Sequence, residues 1–132
     1  MAGIAVVLDH TTATALYDPK DAFSDAVAAF YVQASAGLGT LYAPVLSMTA
    51  GDVEQPGLLR YIKGLRFVEL EVFDSDAAIA ATELLRAGHS WASVHAIHAA
   101  RPSAAHPSGR FLLTLTPHTY EGTGIQAVHP DQ

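Results

Sequence analysis

Five short apolar stretches alternate along the chain with segments of helical composition, and this alternation restricts the fold more than any other feature. The apolar stretches are residues 4–9, 41–44, 66–74, 110–116 and 125–128. Strands that alternate with helices favour parallel βαβ units with right-handed crossovers. We therefore predict an α/β fold of three layers, in which a mainly parallel sheet of about four or five strands is flanked by helices. A chain of 132 residues fits one domain, over residues 1–132.

The predicted helices lie between these strands. They cover residues 11–18, 21–37, 45–63 in two pieces, 77–88 and 91–100. The break within 45–63 is expected around Gly51 and Gln55-Pro56, because glycine and proline interrupt helices. Ser90 is expected to cap the last helix, and one residue of 74–76 the helix before it.

The stretch 66–74 has a pattern typical of an edge strand. Val68 and Leu70 alternate with Glu69 and Glu71, so one face of the strand is polar. Strands inside a parallel sheet are apolar on both faces. We therefore place this strand at an edge of the sheet.

Charge and composition limit the environment and the partners of the chain. Thirteen acidic residues against seven basic ones give a net charge of -6, which repels a phosphate backbone unless the basic residues cluster. RNA binding is therefore disfavoured. No apolar run approaches the roughly 18 residues of a membrane span. Cysteine is absent and the N-terminus lacks the pattern of a secretory signal, so we expect a cytoplasmic protein without membrane contact.

Four stretches carry a resemblance that extends over almost the whole chain. They are VVLDHTTATALYD (6–18), LYAPVLSMTAG (41–51), SWASVHAIHAA (90–100) and FLLTLTPHTY (111–120). In this order they resemble the first strand with its aspartate and hydroxyl residue, the proline-led helix, the penultimate helix and the last long strand of PIN domains. That family is the metal-dependent ribonuclease fold of many bacterial toxins. The resemblance implies a PIN-like fold.

The carboxylates on which the family's chemistry depends are incomplete in this chain. PIN domains gather three or four carboxylates at the strand ends, where magnesium or manganese takes oxygen ligands and activates a water. By the resemblance, Asp9 keeps the first position, and Ser93 and His118 stand where the third and fourth acids would fall. Asp52 and Glu54 are only near the second position. One carboxylate cannot hold a metal pair, so we expect a degenerate site that takes no cofactor.

Asp9, Asp52 and Glu54 nevertheless form one candidate catalytic set. A shift of register that turns Asp52 or Glu54 inward would restore part of a magnesium or manganese site beside Asp9. The structural alternative for Asp52 and Glu54 is that they are solvated surface charges. The structural alternative for Asp9 is a cap on the helix that begins at Thr11 or Thr12, because free helix amides favour an aspartate.

A second candidate site uses the histidines. In the family's sheet order the first and fourth strands are neighbours, so Asp9, His10, Thr11 and His118 would share one crevice, with Ser93 at its wall. Zinc accepts imidazole and carboxylate ligands. A rebuilt metal site on Asp9 and His118 is therefore an alternative to a site without metal.

These observations favour a catalytically degenerate PIN-like domain that acts as a binding or regulatory protein with an unknown protein partner. We expect a homodimer, because the helix over 21–37 carries large apolar residues: Phe23, Val27, Phe30 and Tyr31. Two alternatives remain open. One is a toxin-type ribonuclease with displaced carboxylates, and the other is a metal- or small-molecule-binding protein that uses the histidine-containing crevice.

Overall fold

A computed structural model describes residues 3–131, in which five parallel strands form one sheet. The strands are β1 (Ile4–Leu8), β2 (Gly39–Pro44), β3 (Val68–Glu71), β4 (Phe111–Leu113) and β5 (Gln126–Val128). Their order across the sheet is β3-β2-β1-β4-β5, and every neighbouring pair is parallel. The predicted α/β fold with a parallel central sheet is confirmed. The structure also places β3 at an edge, as the alternation of its residues indicates.

The helices account for each of the predicted helical segments. They are α1 (His10–Tyr17), α2 (Ser24–Ser35), α3 (Val45–Glu54), α4 (Leu58–Lys63), α5 (Ser75–Arg86) and α6 (Trp91–Ala100), and a short 3-10 turn spans Pro117–Tyr120. Asp74 and Ser90 occupy the N-cap positions of α5 and α6. Within residues 3–131, none of the helices has the length and apolar composition required to cross a lipid bilayer.

The predicted break between the two helical pieces lies at Gln55-Pro56, but helix α3 continues through Gly51, the other residue at which the sequence predicts an interruption. The chain leaves the helical path only after Glu54, and Gly57 then adopts a φ of 96°. A Cβ at Gly51 would lie 2.7 Å from Leu58 Cδ2 and 3.4 Å from His10 Cβ. The glycine is therefore a point of close approach between α3, α4 and α1 rather than a helix terminator.

Strand β4 is shorter than the predicted strand over 110–116. Its regular pairing with β1 ends at Leu113. The next two backbone amides bond to different kinds of partner, one to a neighbouring strand and one to a side chain. The Thr114 amide still donates to the Val128 carbonyl at 3.0 Å, but the Leu115 amide donates to Thr11 Oγ1 at 2.9 Å. Side chains of α1 thus replace the strand partner at this end of the sheet.

The two faces of the sheet are covered by different helices. On one face Val6 and Leu8 of β1 pack with residues of α1 to α4, and on the other face Val7 packs with residues of α5 and α6. The alternation follows from the two-residue period of a strand. Strand β1 is thus central and apolar on both sides, and its end is fixed by packing from both layers.

The large apolar residues of α2 are largely used inside the chain. Val27 is fully buried, and Phe23, Phe30 and Tyr31 are half-buried against the core on the α1–α4 face. The homodimer stays a prediction, but these four residues offer less free surface than the sequence alone indicates.

Arg110 is occupied by contacts across the sheet. Its guanidinium forms an ion pair with Glu71 and lies 4.1 Å from the centre of the Tyr42 ring. These contacts hold the segment before β4 against β2, which carries Tyr42, and β3, which carries Glu71. Arg110 is therefore not available to a cluster of basic residues that would attract a phosphate backbone.

His95 joins α6 to the start of α3 and to the end of β3. The side chain is 1% exposed, and its Nδ1 accepts the Leu46 amide of α3 at 3.2 Å. The ring lies near the Val72 carbonyl and packs edge-on against Phe73, with ring centres 5.1 Å apart. Burial lowers the pKa of His95 to about 4, although the Glu71 carboxylate opposes this shift. The folded protein therefore holds a neutral imidazole here.

The pKa of His95 predicts that acid destabilises the fold. In the unfolded chain the imidazole titrates near its usual pKa of 6.5, so the full contribution to stability is present above that pH. As the pH falls towards 4, the unfolded chain takes up a proton that the folded chain does not. Between about pH 7 and about pH 5 the free energy of unfolding should fall by about 2 kcal/mol through this residue. Urea unfolding at both pH values measures the change.

The matched control for this experiment is a histidine on the surface. His95→Gln should remove most of that pH dependence, whereas His118→Gln, at an exposed position, should keep it. Equal pH dependence in the wild type and in His95→Gln would contradict the role assigned to His95.

Candidate functional site

Asp9 lies at the carboxyl end of β1 and caps helix α1. It is fully buried, and its Oδ1 accepts the backbone amides of Thr11 at 2.9 Å and Thr12 at 3.1 Å. Two amides that would otherwise lack a partner at the helix start are thereby satisfied. The capping alternative is confirmed, with the difference that the helix begins at His10.

The second oxygen of Asp9 is occupied by a tyrosine that follows β4. The Tyr120 hydroxyl donates to Asp9 Oδ2 at 2.8 Å, and its side chain is almost completely buried. Burial and the neighbouring Asp9 carboxylate raise the pKa of Tyr120 well above its usual range. The phenol therefore keeps its proton and acts as a permanent donor to Asp9.

Hydroxyl groups of α1 connect this carboxylate to β4. Thr11 Oγ1 donates to Asp9 Oδ1 at 2.5 Å and accepts the Leu115 amide. Thr12 Oγ1 donates to the Leu113 carbonyl at 2.8 Å. Asp9 and the two threonines therefore hold the ends of β1 and β4 together where the regular ladder stops.

Ser93 belongs to the same network through Tyr120. It is buried on α6, where it accepts a hydrogen bond from Ser90 Oγ at 3.1 Å. Ser93 lies beside the Tyr120 phenol and opposes the rise in its pKa. Tyr120 in turn donates to Asp9, so it separates Ser93 from the carboxylate. The place of Ser93 at the wall of a crevice stays a prediction.

The two histidines of the predicted crevice have different surroundings. His10 is the first residue of α1 and lies against α3 beside Gly51, and its Nδ1 is buried without a hydrogen-bond partner. His118 lies in the 3-10 turn two residues before Tyr120, and its side chain is exposed. Within residues 3–131, no three side chains of histidine, cysteine, aspartate or glutamate are grouped to hold a metal ion.

Asp52 and Glu54 lie at the end of α3. Asp52 Oδ2 accepts the Leu59 amide at 2.9 Å, which ties the end of α3 to the start of α4, and Glu54 is exposed. Within the described residues neither carboxylate hydrogen-bonds to Asp9 or to the hydroxyls around it. The catalytic roles of Asp9, Asp52 and Glu54 stay predictions that this geometry does not favour.

Tyr120 is the residue of this site that sequence reasoning missed. The stretch FLLTLTPHTY ends on it, but its role depends on a partner 111 positions away in the sequence. The available signal is chemical: a tyrosine hydroxyl that becomes buried requires a partner, and Asp9 is an acid at the end of a buried strand. That signal indicates a pairing only after β1 and β4 are known to be neighbours.

A scan against protein-family models finds no match, and a search of curated proteins finds none either. The membership in the PIN family that the motifs suggest therefore stays a prediction.

The network predicts a stability cost for the loss of one hydroxyl. Tyr120→Phe keeps the ring but leaves the buried Asp9 Oδ2 without its hydrogen-bond partner. A hydrogen bond to a charged group contributes about 1.5–3 kcal/mol, so the free energy of unfolding should fall by about 2 kcal/mol. Tyr61→Phe, which removes a hydroxyl from an exposed ring on α4, is the matched control and should change stability by less than about 0.5 kcal/mol. Equal effects of the two substitutions in urea unfolding would contradict the assignment.

Proposed function

We propose that this chain is a catalytically degenerate PIN-like domain that acts in the cytoplasm as a binding or regulatory protein. One observation carries the proposal. Asp9 is fully buried, and both of its carboxylate oxygens are occupied by donors from α1 and from Tyr120. A carboxylate in that state contributes to the fold, and a metal ion would have to displace protein donors to reach it.

The chemistry of phosphodiester cleavage supports this proposal. Hydrolysis by a PIN-type site needs positioned magnesium or manganese ions, which prefer carboxylate oxygens and bound water. Metal binding at Asp9 would have to displace the Tyr120 hydroxyl from Asp9 Oδ2, and Ser93 stands in place of an acid. The cost of leaving the buried Tyr120 hydroxyl without a partner opposes such a rearrangement.

The distribution of positive charge also supports a partner other than RNA. Arg110 forms an ion pair with Glu71, the last residue of β3. Arg60 and Lys63 line a groove between α3 and α4 together with Asp52. With a net charge of -6, the chain has no excess of cations with which to draw a phosphate backbone to Asp9.

We also propose that the chain forms a homodimer. An apolar cavity of about 220 Å³ opens at the surface beside Ile4, Phe30 and Phe111, and a neighbouring apolar recess adds Leu38. Ile4, Leu38 and Phe111 are 54%, 61% and 42% exposed. This exposed apolar surface supports association with a second copy better than Phe23, Val27 and Tyr31 do.

The proposed loss of activity predicts the outcome of a cleavage assay. The purified protein should not cleave single-stranded or structured RNA above a buffer control when magnesium or manganese is present. Manganese should also leave the melting temperature unchanged, whereas a ligand at about one hundred times its Kd would add about 2.7 kcal/mol of stability. Both measurements use the intact chain.

Variants of the candidate residues define the results that would contradict the proposal. Metal-dependent cleavage that is lost in Asp9→Asn, and again in Asp52→Asn or Glu54→Gln, would establish the ribonuclease with displaced carboxylates. Stabilisation by zinc that is lost in His118→Ala would favour the metal-binding alternative. Glu121→Gln, at an exposed acid just after the 3-10 turn, is the control that should change neither result.

A further inference from the structure

A groove between α3 and α4 lies apart from the network around Asp9. We call it the α3–α4 groove; it is lined by Thr49, Asp52 and Val53 of α3 and by Leu59, Arg60 and Lys63 of α4. Its volume is about 670 Å³. Cavities of this order accommodate ligands in other proteins. The groove is open to solvent along its length, so a short segment of chain fits it better than a small molecule that needs enclosure.

Two cations on one rim of the groove have no carboxylate partner. Arg60 and Lys63 are both exposed and lie three residues apart, on one face of α4. The ion pair between Arg110 and Glu71 is the only one within residues 3–131. Like charges at this spacing repel each other and weaken a helix. An anionic ligand that contacts both side chains would relieve that repulsion.

The opposite wall supplies an acceptor and an apolar contact. Asp52 Oδ2 is held by the Leu59 amide, while its other oxygen makes no hydrogen bond within the described part of the chain. Val53 is 80% exposed at the same wall. A ligand that matches the groove therefore combines anionic groups for Arg60 and Lys63, an N–H donor for Asp52, and an apolar side chain for Val53.

We propose that the α3–α4 groove binds a short acidic peptide segment of a partner protein, with carboxylates on Arg60 and Lys63 and an apolar side chain against Val53. This proposal rests on the proposed function and names the chemistry of its partner. A peptide supplies carboxylates, backbone N–H groups and apolar side chains together. RNA fits less well, because none of the lining residues is an aromatic on which a base can stack.

An amide-shift titration of the full chain tests this proposal. Helix α3 has ten residues and is about 15 Å long, which an extended peptide of about five residues spans. The probe is a peptide of that length in which glutamate and leucine alternate. It should cause saturable shifts of the backbone amides over residues 49–63. The double variant Arg60→Gln/Lys63→Gln should weaken binding at least about tenfold, because charge pairs at the rim provide much of the attraction.

The control is an exposed cation at the end of another helix. Arg86 lies in the last turn of α5, and Arg86→Gln should leave binding unchanged. Absence of saturable shifts, shifts outside residues 49–63, or equal binding by the double variant would overturn the proposal. Equal binding of a peptide in which lysine replaces glutamate would also overturn it. Tighter binding of an oligouridylate at the same residues would assign the groove to nucleic acid and overturn it as well.

The peptide titration and the RNA cleavage assay test the groove and the proposed function separately. A groove that binds no acidic peptide, in a protein that also cleaves no RNA, overturns only the assignment of the groove. Metal-dependent cleavage of RNA overturns the proposed function, whatever the peptide titration gives.

Discussion

The buried carboxylate of Asp9 connects segments that the hydrogen bonds between strands do not join. It receives the first free amides of α1, the Thr11 hydroxyl and the Tyr120 phenol. A buried carboxylate is costly unless donors surround it, and here four strong donors come from two distant segments. The end of β1, the start of α1 and the turn after β4 are therefore held at one point.

That arrangement gives an acid at the end of a central strand a structural role. In parallel sheets the carboxyl ends of the strands line the usual ligand crevice. In this chain the Tyr120 hydroxyl lies next to Asp9 and donates to it, and Ser93 lies beside Tyr120. In the function that we propose, a partner is recognised elsewhere, by the cations of the α3–α4 groove.

Much of the architecture follows from the sequence, because the period of apolar residues and the cap residues are local signals. The alternation of strands and helices predicts the parallel sheet, and the polar face of residues 66–74 predicts the edge position of β3. The role of Gly51 is not local: glycine usually interrupts a helix, but here it allows contact with His10 and Leu58. The pairing of Asp9 with Tyr120 is also beyond sequence reasoning, since it joins residues that only the finished sheet brings together.

A double-mutant cycle on Asp9 and Tyr120 tests the central claim most directly. Urea unfolding of Asp9→Asn, Tyr120→Phe and the double variant gives the energy that couples the two side chains. If the phenol and the carboxylate depend on each other, the coupling should be about 1–3 kcal/mol, because residues in one hydrogen-bond network are not additive. Effects that add to within about 0.5 kcal/mol would contradict the claim that this pair holds the end of the sheet together.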